Sequence, residues 1–470
     1  MKRKKRTKSK TAPKVKRTKK PSPIIAIPLI LISLFVLIAT IYKIIEIISA
    51  NSSAIDFPKL EISLTEVPIE QIDAGTKDIK YPENAISITA DGKTTTYDNV
   101  EVKGRGNYTW GQIKKPYQIK FSEKTSLLDH DATKKWVLLA NYLDQTHLRN
   151  DAAFHLADIL DESYTYQGNP IELYIDNNYR GLYYLVKKIS TDKAGLNLKN
   201  DGGVLLELDN LYGKLDGCAY DEKSNCFIVK DIVNEGYTEA ATTSFISSIN
   251  SLHKAIENQD YSSITEIIDI DSFAKYFLLS EFTVNPDAYS SSLYMYRDGE
   301  KDKIHAGPIW DFDMALGNKY WKNNNIDFEK IHSPFENMVF KNYLPDPNSS
   351  DTQSVTSTLF YDLMDIPEFE ARVKEIYQST LSGKKDDFIN YIKSQADHIR
   401  PAALRDQERW KSKTNFDEEV DYLIDWVSKR YGHFEEVYGQ NPTESTPNPA
   451  PESPQPSQEQ SSPQETPPSA

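Results

Sequence analysis

Polar and apolar residues alternate along the first half of the folded region, a pattern typical of half-buried strands. Turn residues such as Asp91 and Gly92 separate the alternating runs. A helical pattern interrupts them once, over about 144–160, with Asp144 as the predicted N-terminal cap. The predicted strands cover residues 60–64, 85–89, 98–103, 114–121, 171–175, 181–186 and 203–208.

Beyond residue 237 the apolar residues recur at helical spacing instead. Helices are predicted over 240–257 and 271–282, the second capped by Asp271 and Ser272. Three more helical patterns follow between residues 367 and 438. Because strands with one helix come first and helices follow, the order predicts an α+β fold.

One segment of the second half, residues 304–318, combines a predicted strand over 304–309 with two acids. Asp311 and Asp313 alternate there with Trp310 and Phe312. Continued strand alternation would place both acids on one face and both aromatic rings on the other. Two adjacent carboxylates repel unless a cation lies between them, so the pattern suits Mg²⁺ or Mn²⁺. A polar turn that closes a hairpin explains the spacing equally well.

The order of the remaining polar motifs matches the parts that phosphoryl transfer from ATP requires. Asp287 follows a predicted helix and would act as the base, and Asp311 follows a hairpin 24 residues later and would bind metal, with Asp313 as a second ligand. A turn and a lysine would contact the phosphates, although a plain hairpin turn and a solvated lysine are the alternatives. The residues assigned to the nucleotide are Gly104, Arg105, Gly106, Lys120, Arg149 and Glu207.

Charge and hydropathy at the N-terminus predict a membrane anchor. Residues 1–20 hold twelve Lys or Arg and no acid, whereas the whole chain carries a net charge of −14. Residues 24–42 are uncharged and nearly all apolar, long enough to span a bilayer. We therefore expect a basic cytoplasmic head over 1–22 and a single-pass anchor over 23–48, with the folded domain outside the membrane. A cleaved signal peptide is the alternative. The acidic body argues against a nucleic-acid partner.

Two further regions have a distinct composition. Cys218 and Cys226, the two cysteines of the chain, bracket a polar loop. Outside the membrane such a pair predicts a disulfide that closes a hairpin tip, with free thiols as the alternative. Residues 441–470 contain mostly Pro, Ser, Gln, Glu and Thr and no aromatic residue. They predict a disordered tail, which could contact the cell wall.

The motifs together resemble the spore-coat protein H (CotH) kinase family over about residues 58–435. They are Gly104-Arg105-Gly106-Asn107 with Thr109 and Trp110, Lys114-Lys115-Pro116-Tyr117, the run 136–144, Leu148-Arg149-Asn150, the run 203–209, Asn285 and Asp287 with 290–292, and 307–317.

The resemblance implies an atypical protein-kinase-like domain over 55–438, with a strand-rich lobe over 55–236 and a helical lobe over 237–438. It also implies Mg- or Mn-ATP-dependent phosphorylation of Ser in protein substrates. Asp287 matches the family's catalytic Asp and Asp311 its metal-binding Asp. The pair Lys187-Lys188 departs from the pattern, because the strand after Gly181 usually reaches a Glu there. If that Glu contributes to the nucleotide site, the departure bears on activity.

Two other functions remain open at this point. ATP is scarce outside a bacterial cell, so a silent family member could serve as a surface interaction or adhesion protein. A carbohydrate hydrolase with paired carboxylates is the third hypothesis, with Glu281 and Asp311 as candidate members.

Overall fold

The structure, a computed structural model, describes residues 40, 43, 57–211, 217–320, 333 and 356–439. The predicted basic head, nearly all of the predicted anchor and the predicted tail lie outside these residues. In the described part, no helix combines the length and apolar character needed to cross a membrane. The chain divides into two compact units, residues 1–57 and 58–470. The description below concerns the second unit.

Seven strands close into a barrel in the order β1-β2-β3-β4-β5-β7-β6. All neighbouring pairs are antiparallel except β1 and β6, which pair in parallel and close the barrel. The strands are β1 (Lys59–Ser63), β2 (Lys80–Ala90), β3 (Lys93–Gly104), β4 (Tyr117–Thr125), β5 (Thr133–Leu139), β6 (Gly168–Ile175) and β7 (Asn178–Lys187).

The barrel core follows from the alternation in the sequence. On β4, Tyr117, Ile119 and Phe121 are buried among the other apolar residues of the interior, as predicted. Gln118 and Lys120 therefore lie on the outer face of the same strand. Burial of one face of each strand fixes the register of the barrel, because a slip by one residue would turn every core side chain outward.

A second sheet of five strands has the order β12-β11-β8-β10-β9. It joins strands from both sides of residue 237, so the change from strand-rich to helix-rich sequence is not a boundary between sheets. The division into lobes at that residue stays a prediction. The strands are β8 (Val204–Leu208), β9 (Ala219–Tyr220), β10 (Cys226–Ile232), β11 (Leu293–Arg297) and β12 (His305–Ala306).

Most helices of the described region lie in its C-terminal half, as the spacing predicts. One short helix, α1 (Ile69–Ala74), precedes β2. The others are α2 (Arg149–Ile159), α3 (Thr238–Glu257), α4 (Tyr261–Ile267), α5 (Ile270–Thr283), α6 (Leu359–Met364), α7 (Pro367–Thr380), α8 (Lys385–Trp410) and α9 (Phe416–Tyr438).

Two predicted helix starts are wrong. Helix α5 is capped by Asp269, whose carboxylate accepts a hydrogen bond from the Ser272 amide at 2.9 Å, and not by Asp271. Helix α2 begins five residues after Asp144. The Asp144 carboxylate instead organises the preceding turn, because Oδ1 accepts from the Thr146 amide at 3.0 Å and Oδ2 from the Arg149 amide at 2.8 Å.

The predicted strand over 304–309 is also shorter than expected, since β12 contains only two residues. The Gly307 amide donates one further cross-strand hydrogen bond, to the Tyr294 carbonyl at 2.8 Å, but Gly307 has φ +109° and Pro308 follows it, so the strand itself ends at Ala306. Asp311 adopts a left-handed φ of +67°. Strand alternation therefore does not extend to the acids, and the expectation of separate acidic and aromatic faces is wrong.

Candidate active site

A cavity of about 660 Å³ lies between the outer face of the barrel and the second sheet. Its lining comes from segments that are far apart in the sequence: the turn after β3, the ends of β5 and β7, strands β8 and β10, and the loops after α5 and β12. Seven predicted site residues line this cavity: Gly104, Arg105, Gly106, Glu207, Asp287, Asp311 and Asp313.

Asp287 lies in the loop that follows helix α5. The helix ends at Val284 in the left-handed conformation, which turns the chain toward the cavity. The Asn285 side chain accepts a hydrogen bond from the Asp287 amide at 3.1 Å. The Asp287 carbonyl accepts from the amides of Ser290 and Ser291 at 3.0 and 2.9 Å. These bonds occupy backbone groups and leave the Asp287 carboxylate facing the cavity.

Asp311 and Asp313 lie on a second loop that helix α2 holds in place. The Asn150 side chain on α2 accepts a hydrogen bond from the Phe312 amide at 2.8 Å. Asn318 donates from its amide group to the Asp313 carbonyl at 2.6 Å. The Ser292 hydroxyl lies 3.4 Å from Asp311 Oδ2, which links this loop to the loop of Asp287.

Asp313 is buried, Asp287 and Asp311 are partly buried, and all three line the same cavity. Burial raises the pKa of Asp287 to about 7, and the charges of Asp311 and Asp209 add to the effect. Burial also raises the pKa of Asp311, where Arg105 opposes the shift and Glu207 adds to it. The pKa of Asp313 rises well above its usual range because of burial and the neighbouring Asp311. A divalent cation would relieve this repulsion.

The donor set suits a magnesium or manganese ion that shares its coordination with a ligand. Among the described residues, no group of three or more His, Cys, Asp or Glu side chains forms a metal cage. Mg²⁺ typically uses one or two carboxylates together with substrate phosphates and waters. Asp311 and Asp313 fit that role, because both are oxygen donors on one loop and both line the cavity.

Cations line the same cavity. The Arg105 guanidinium lies 5.2 Å from the centre of the Trp310 ring. Lys230 pairs with Glu207 through Nζ and Oε2 at 2.5 Å. Glu207, the acid within the apolar run of β8, is therefore both paired and at the cavity. Lys230 was not predicted as a site residue. It lies on β10, the strand that pairs with β8, which carries Glu207.

Glycine is required in the turn that carries Arg105 for two different reasons. A side chain at position 104 would collide with the Trp110 ring, 2.5 Å from the position of its Cβ. Gly106 has φ +78°, which disfavours other residues, and a Cβ there would meet the Thr109 hydroxyl at 2.1 Å. The two glycines, Gly104 and Gly106, are therefore explained by packing and backbone conformation as well as by their position at the cavity.

Two residues assigned to the nucleotide do not line the cavity. Lys120 lies on the outer face of β4, two residues beyond Gln118. Gln118 lines the cavity and Lys120 does not. Arg149 is enclosed in the fold, where it pairs with Asp144 at 2.5 Å and donates from Nε to the Ala315 carbonyl at 3.1 Å. Arg149 thus stabilises the loop that contains Asp313 through its hydrogen bond to Ala315. Its assignment to the nucleotide is not supported by its position.

The departure at Lys187 also lies away from the cavity lining. Its ammonium donates to the Ala194 carbonyl at 2.8 Å and lies 5.9 Å from the Tyr164 ring centre. The next residue, Lys188, does line the cavity and was not predicted. The two adjacent lysines at the end of β7 indicate that a lysine could lie at the site, but the sequence does not tell whether Lys187 or Lys188 faces the cavity.

The predicted disulfide between Cys218 and Cys226 is present. It closes a loop beside the cavity. The Cys226 amide donates to the Asn210 side chain at 2.8 Å, and the Asp209 amide donates to the Cys226 carbonyl at 2.9 Å. Asp209 lines the cavity, so the disulfide loop supports one of its acidic residues.

The carboxylate pair expected of a hydrolase does not form. Glu281 is buried and accepts a hydrogen bond from the Tyr289 hydroxyl at 2.9 Å. It does not line the cavity that contains Asp311. The two acids therefore do not flank a common substrate site in the described part of the chain.

The chain is similar to known proteins over most of its length. It is 21% identical to inner spore coat protein H of Bacillus subtilis (strain 168) over 359 residues, which covers 72% of this chain and 87% of the relative. It also shares 12% identity with the proinflammatory kinase CtkA of Helicobacter pylori, covering 77% of this chain and 94% of that structure, with a TM-score of 0.21. At that TM-score the likeness carries no argument about the fold.

The sequence model of the CotH kinase protein family matches residues 102–434. This range includes the glycine turn, the loop of Asp287 and the loop of Asp311 and Asp313, which together line the cavity. The chain therefore belongs to the CotH kinase protein family.

Proposed function

We propose that this protein is an atypical protein kinase that transfers the terminal phosphate of ATP to a serine of a protein substrate. The observation that carries the proposal is that Asp287 and Asp311 face one cavity from two loops. One loop follows a helix and the other follows a hairpin, the order in which kinases present their base and their metal ligand. The family match supports the same reaction. A kinase-like lobe arrangement is part of the proposal.

In the proposed reaction the Asp287 carboxylate accepts the proton of the serine hydroxyl. The serine oxygen then bonds to the terminal phosphorus, the bond from phosphorus to the bridging oxygen breaks, and ADP leaves with that electron pair. Burial and the charge of Asp311 raise the pKa of Asp287 to about 7. A cation on Asp311 would offset that charge and lower the pKa, so the Asp287 carboxylate would be ionised and able to accept a proton near neutral pH. When bound, Mg²⁺ or Mn²⁺ held by Asp311 and Asp313 would neutralise phosphate charge.

The cations of the cavity have a separate role in this proposal. Arg105 faces Asp311 and would hold the phosphates close to the metal ligands. Lys230 is held by Glu207, which resembles the lysine–glutamate pair that kinases need for activity. Both residues would stabilise the charge that develops on the transferred group.

The substrate class and location extend the proposal further. The matched relative is a spore coat protein. We propose that the substrate is a coat or surface protein that contains serine, and that the folded domain acts outside the cytoplasm. Attachment to a membrane through residues 23–48, and contact of the tail with the cell wall, belong to the same proposal and rest on the sequence alone.

The test is phosphate transfer by the purified full chain, with labelled ATP, Mn²⁺ or Mg²⁺, and casein as a generic acceptor. Wild-type protein should label itself or casein on serine, and Asp287→Ala and Asp311→Ala should each lower the rate at least about 100-fold. Asp425→Ala, in an exposed ion pair on α9, is the control and should label normally. Binding of ATP without any transfer would favour the silent family member, and no nucleotide binding would refute the proposal.

A further inference from the structure

Three lysines lie side by side on the outer face of the barrel. Lys120 on β4 is directly opposite Lys135 on β5. The Lys188 amide at the end of β7 donates to the Lys135 carbonyl at 3.0 Å, which places Lys188 next along the same row. Like charges at neighbouring positions across strands are destabilising. Of the three, only Lys188 lines the cavity.

Lys188 is partly buried, and more cations than acids surround its ammonium. Burial lowers the pKa of its ammonium to about 8, and Lys135 on β5, Lys230 on β10 and Arg105 lower it further, while Asp231 alone raises it. The neighbouring acids are already engaged. Asp231 accepts from the amide and hydroxyl of Thr191 at 2.7 and 3.0 Å, and Glu207 on β8 pairs with Lys230.

Arg105 faces the same space with an unused donor. Its Nη1 atom is buried and has no hydrogen-bond partner among the described residues. Its guanidinium stacks on Trp310, which fixes its position beside Asp311. An arginine cannot lose its proton in this environment, so it keeps a full positive charge next to Lys188. Neighbouring cations repel each other, and an anion that contacts both relieves this repulsion.

We propose that Lys188 and Arg105 form a polyphosphate-binding site on the barrel wall of the cavity, and that this site binds the phosphate chain without a metal ion. Both cations line the cavity that also contains Asp311, so a chain of several phosphates that contacts Lys188 and Arg105 would lie in the same cavity as the proposed metal ligand. Lys188 thereby takes the role that the sequence assigned to Lys120. This inference rests on the proposed kinase function, because it names the phosphate contacts of that site.

The probe for the test is inorganic tripolyphosphate, titrated calorimetrically into the full chain in EDTA at pH 7 and pH 9. Wild-type protein should bind tripolyphosphate at pH 7 and bind it more weakly at pH 9, because Lys188 loses its proton in this range. The probe itself becomes more negative over the same range, which by itself would strengthen binding, so weaker binding at pH 9 reports on Lys188. Lys188→Met should weaken binding at pH 7 about tenfold or more. Lys188→Arg should retain binding at pH 9, since arginine stays charged.

Lys120→Met is the matched control, because Lys120 belongs to the same row but does not line the cavity. It should bind the probe like wild type, and the thermal unfolding of all variants should be compared to confirm that they are folded. Wild-type affinity in Lys188→Met, or binding that requires a divalent cation, would refute the site. The outcome is separable from the kinase proposal. Probe binding without phosphate transfer would support the phosphate site and refute the kinase reaction. Full phosphate transfer by Lys188→Met would support the kinase reaction and refute the phosphate site.

Discussion

The ammonium of Lys114 lies 2.6 Å from Oδ1 of Asp406, and this buried ion pair joins the segment before β4 to the C-terminal end of helix α8. The same two side chains bond to the backbone of one residue, since Lys114 donates to the Leu182 carbonyl at 2.6 Å and Asp406 accepts from its amide at 2.8 Å. Burial alone would raise the pKa of Asp406, but Lys114 and His147 outweigh it and lower the pKa to about 2. The pair therefore holds a cavity-lining segment against the C-terminal helices.

Removal of one partner of this pair should be strongly destabilising. Asp406→Ala leaves the Lys114 ammonium buried without a counter-charge, which we expect to lower the free energy of unfolding by about 3–5 kcal/mol. Urea denaturation of the variant and the wild type measures the difference. The exposed pair Lys429–Asp425, also 2.6 Å apart, supplies the control, and Asp425→Ala should cost less than about 1 kcal/mol. Equal losses in the two variants would contradict the structural role of the buried pair.

Glu162, just beyond helix α2, should make stability depend on pH. Its Oε1 atom is buried without a hydrogen-bond partner among the described residues. Burial raises its pKa from 4.5 to about 8, and Lys275 offsets this only in part. In the unfolded chain the carboxyl ionises near its ordinary pKa, so the folded protein loses stability as pH rises from about 4.5 to about 8.

Glu162→Gln stays neutral and avoids that loss. The variant should match the wild type near pH 4, become progressively more stable than it up to pH 8, and keep a constant advantage above that. Thermal unfolding at pH 4, 6, 7, 8 and 9 measures the trend. Glu436→Gln, on the exposed face of α9, should show no such trend. An advantage of Glu162→Gln that is independent of pH would argue against a buried neutral carboxyl.

Arg149 should act on stability and not on ligand binding. Arg149→Met leaves the Asp144 carboxylate buried and unpaired, which should cost about 3 kcal/mol or more of unfolding free energy. The double variant Arg149→Met with Asp144→Leu removes both charges and should recover part of the loss. Urea denaturation of the three proteins decides the matter. If Arg149→Met unfolds like wild type and only its nucleotide affinity falls, the original assignment of Arg149 to the nucleotide is right.

Local patterns in the sequence predicted the parts of the fold that depend on local chemistry. The alternation of Tyr117, Ile119 and Phe121 with Gln118 and Lys120 predicts which face of β4 is buried, because strand geometry alone decides it. An acid within the apolar run of β8 indicates a functional or a paired charge, and Glu207 pairs with Lys230 and lines the cavity. The helices after residue 237 follow from spacing in the same way.

Contacts between distant strands could not be predicted. The closure of the barrel through β1 and β6 depends on pairing of residues more than a hundred positions apart, such as Leu60 and Leu173. The choice of Lys188 over Lys120 depends on β5 pairing with β7, which sets the order of the lysine row. Neither pairing leaves a local signal in the sequence.

The loop of Asp311 shows how a local pattern can mislead. Residues 304–313 alternate like a strand, but the strand ends at Ala306, because Gly307 has φ +109° and Pro308 follows it. The expected geometry of Asp311 and Asp313 was therefore wrong, although their position at the cavity agrees with the prediction. A proline within an alternating run was the signal against the strand.

We propose that Asp311 holds the cation on the nucleotide while Asp287 acts only on the substrate hydroxyl. Calorimetric titration of a non-hydrolysable ATP analogue with Mn²⁺ into the full chain tests this division directly. We predict wild-type affinity for Asp287→Asn, which should nevertheless be unable to transfer phosphate, and an affinity about 100-fold lower for Asp311→Asn only when Mn²⁺ is present. Equal affinity of Asp311→Asn and the wild type for the Mn²⁺–nucleotide complex would contradict the account.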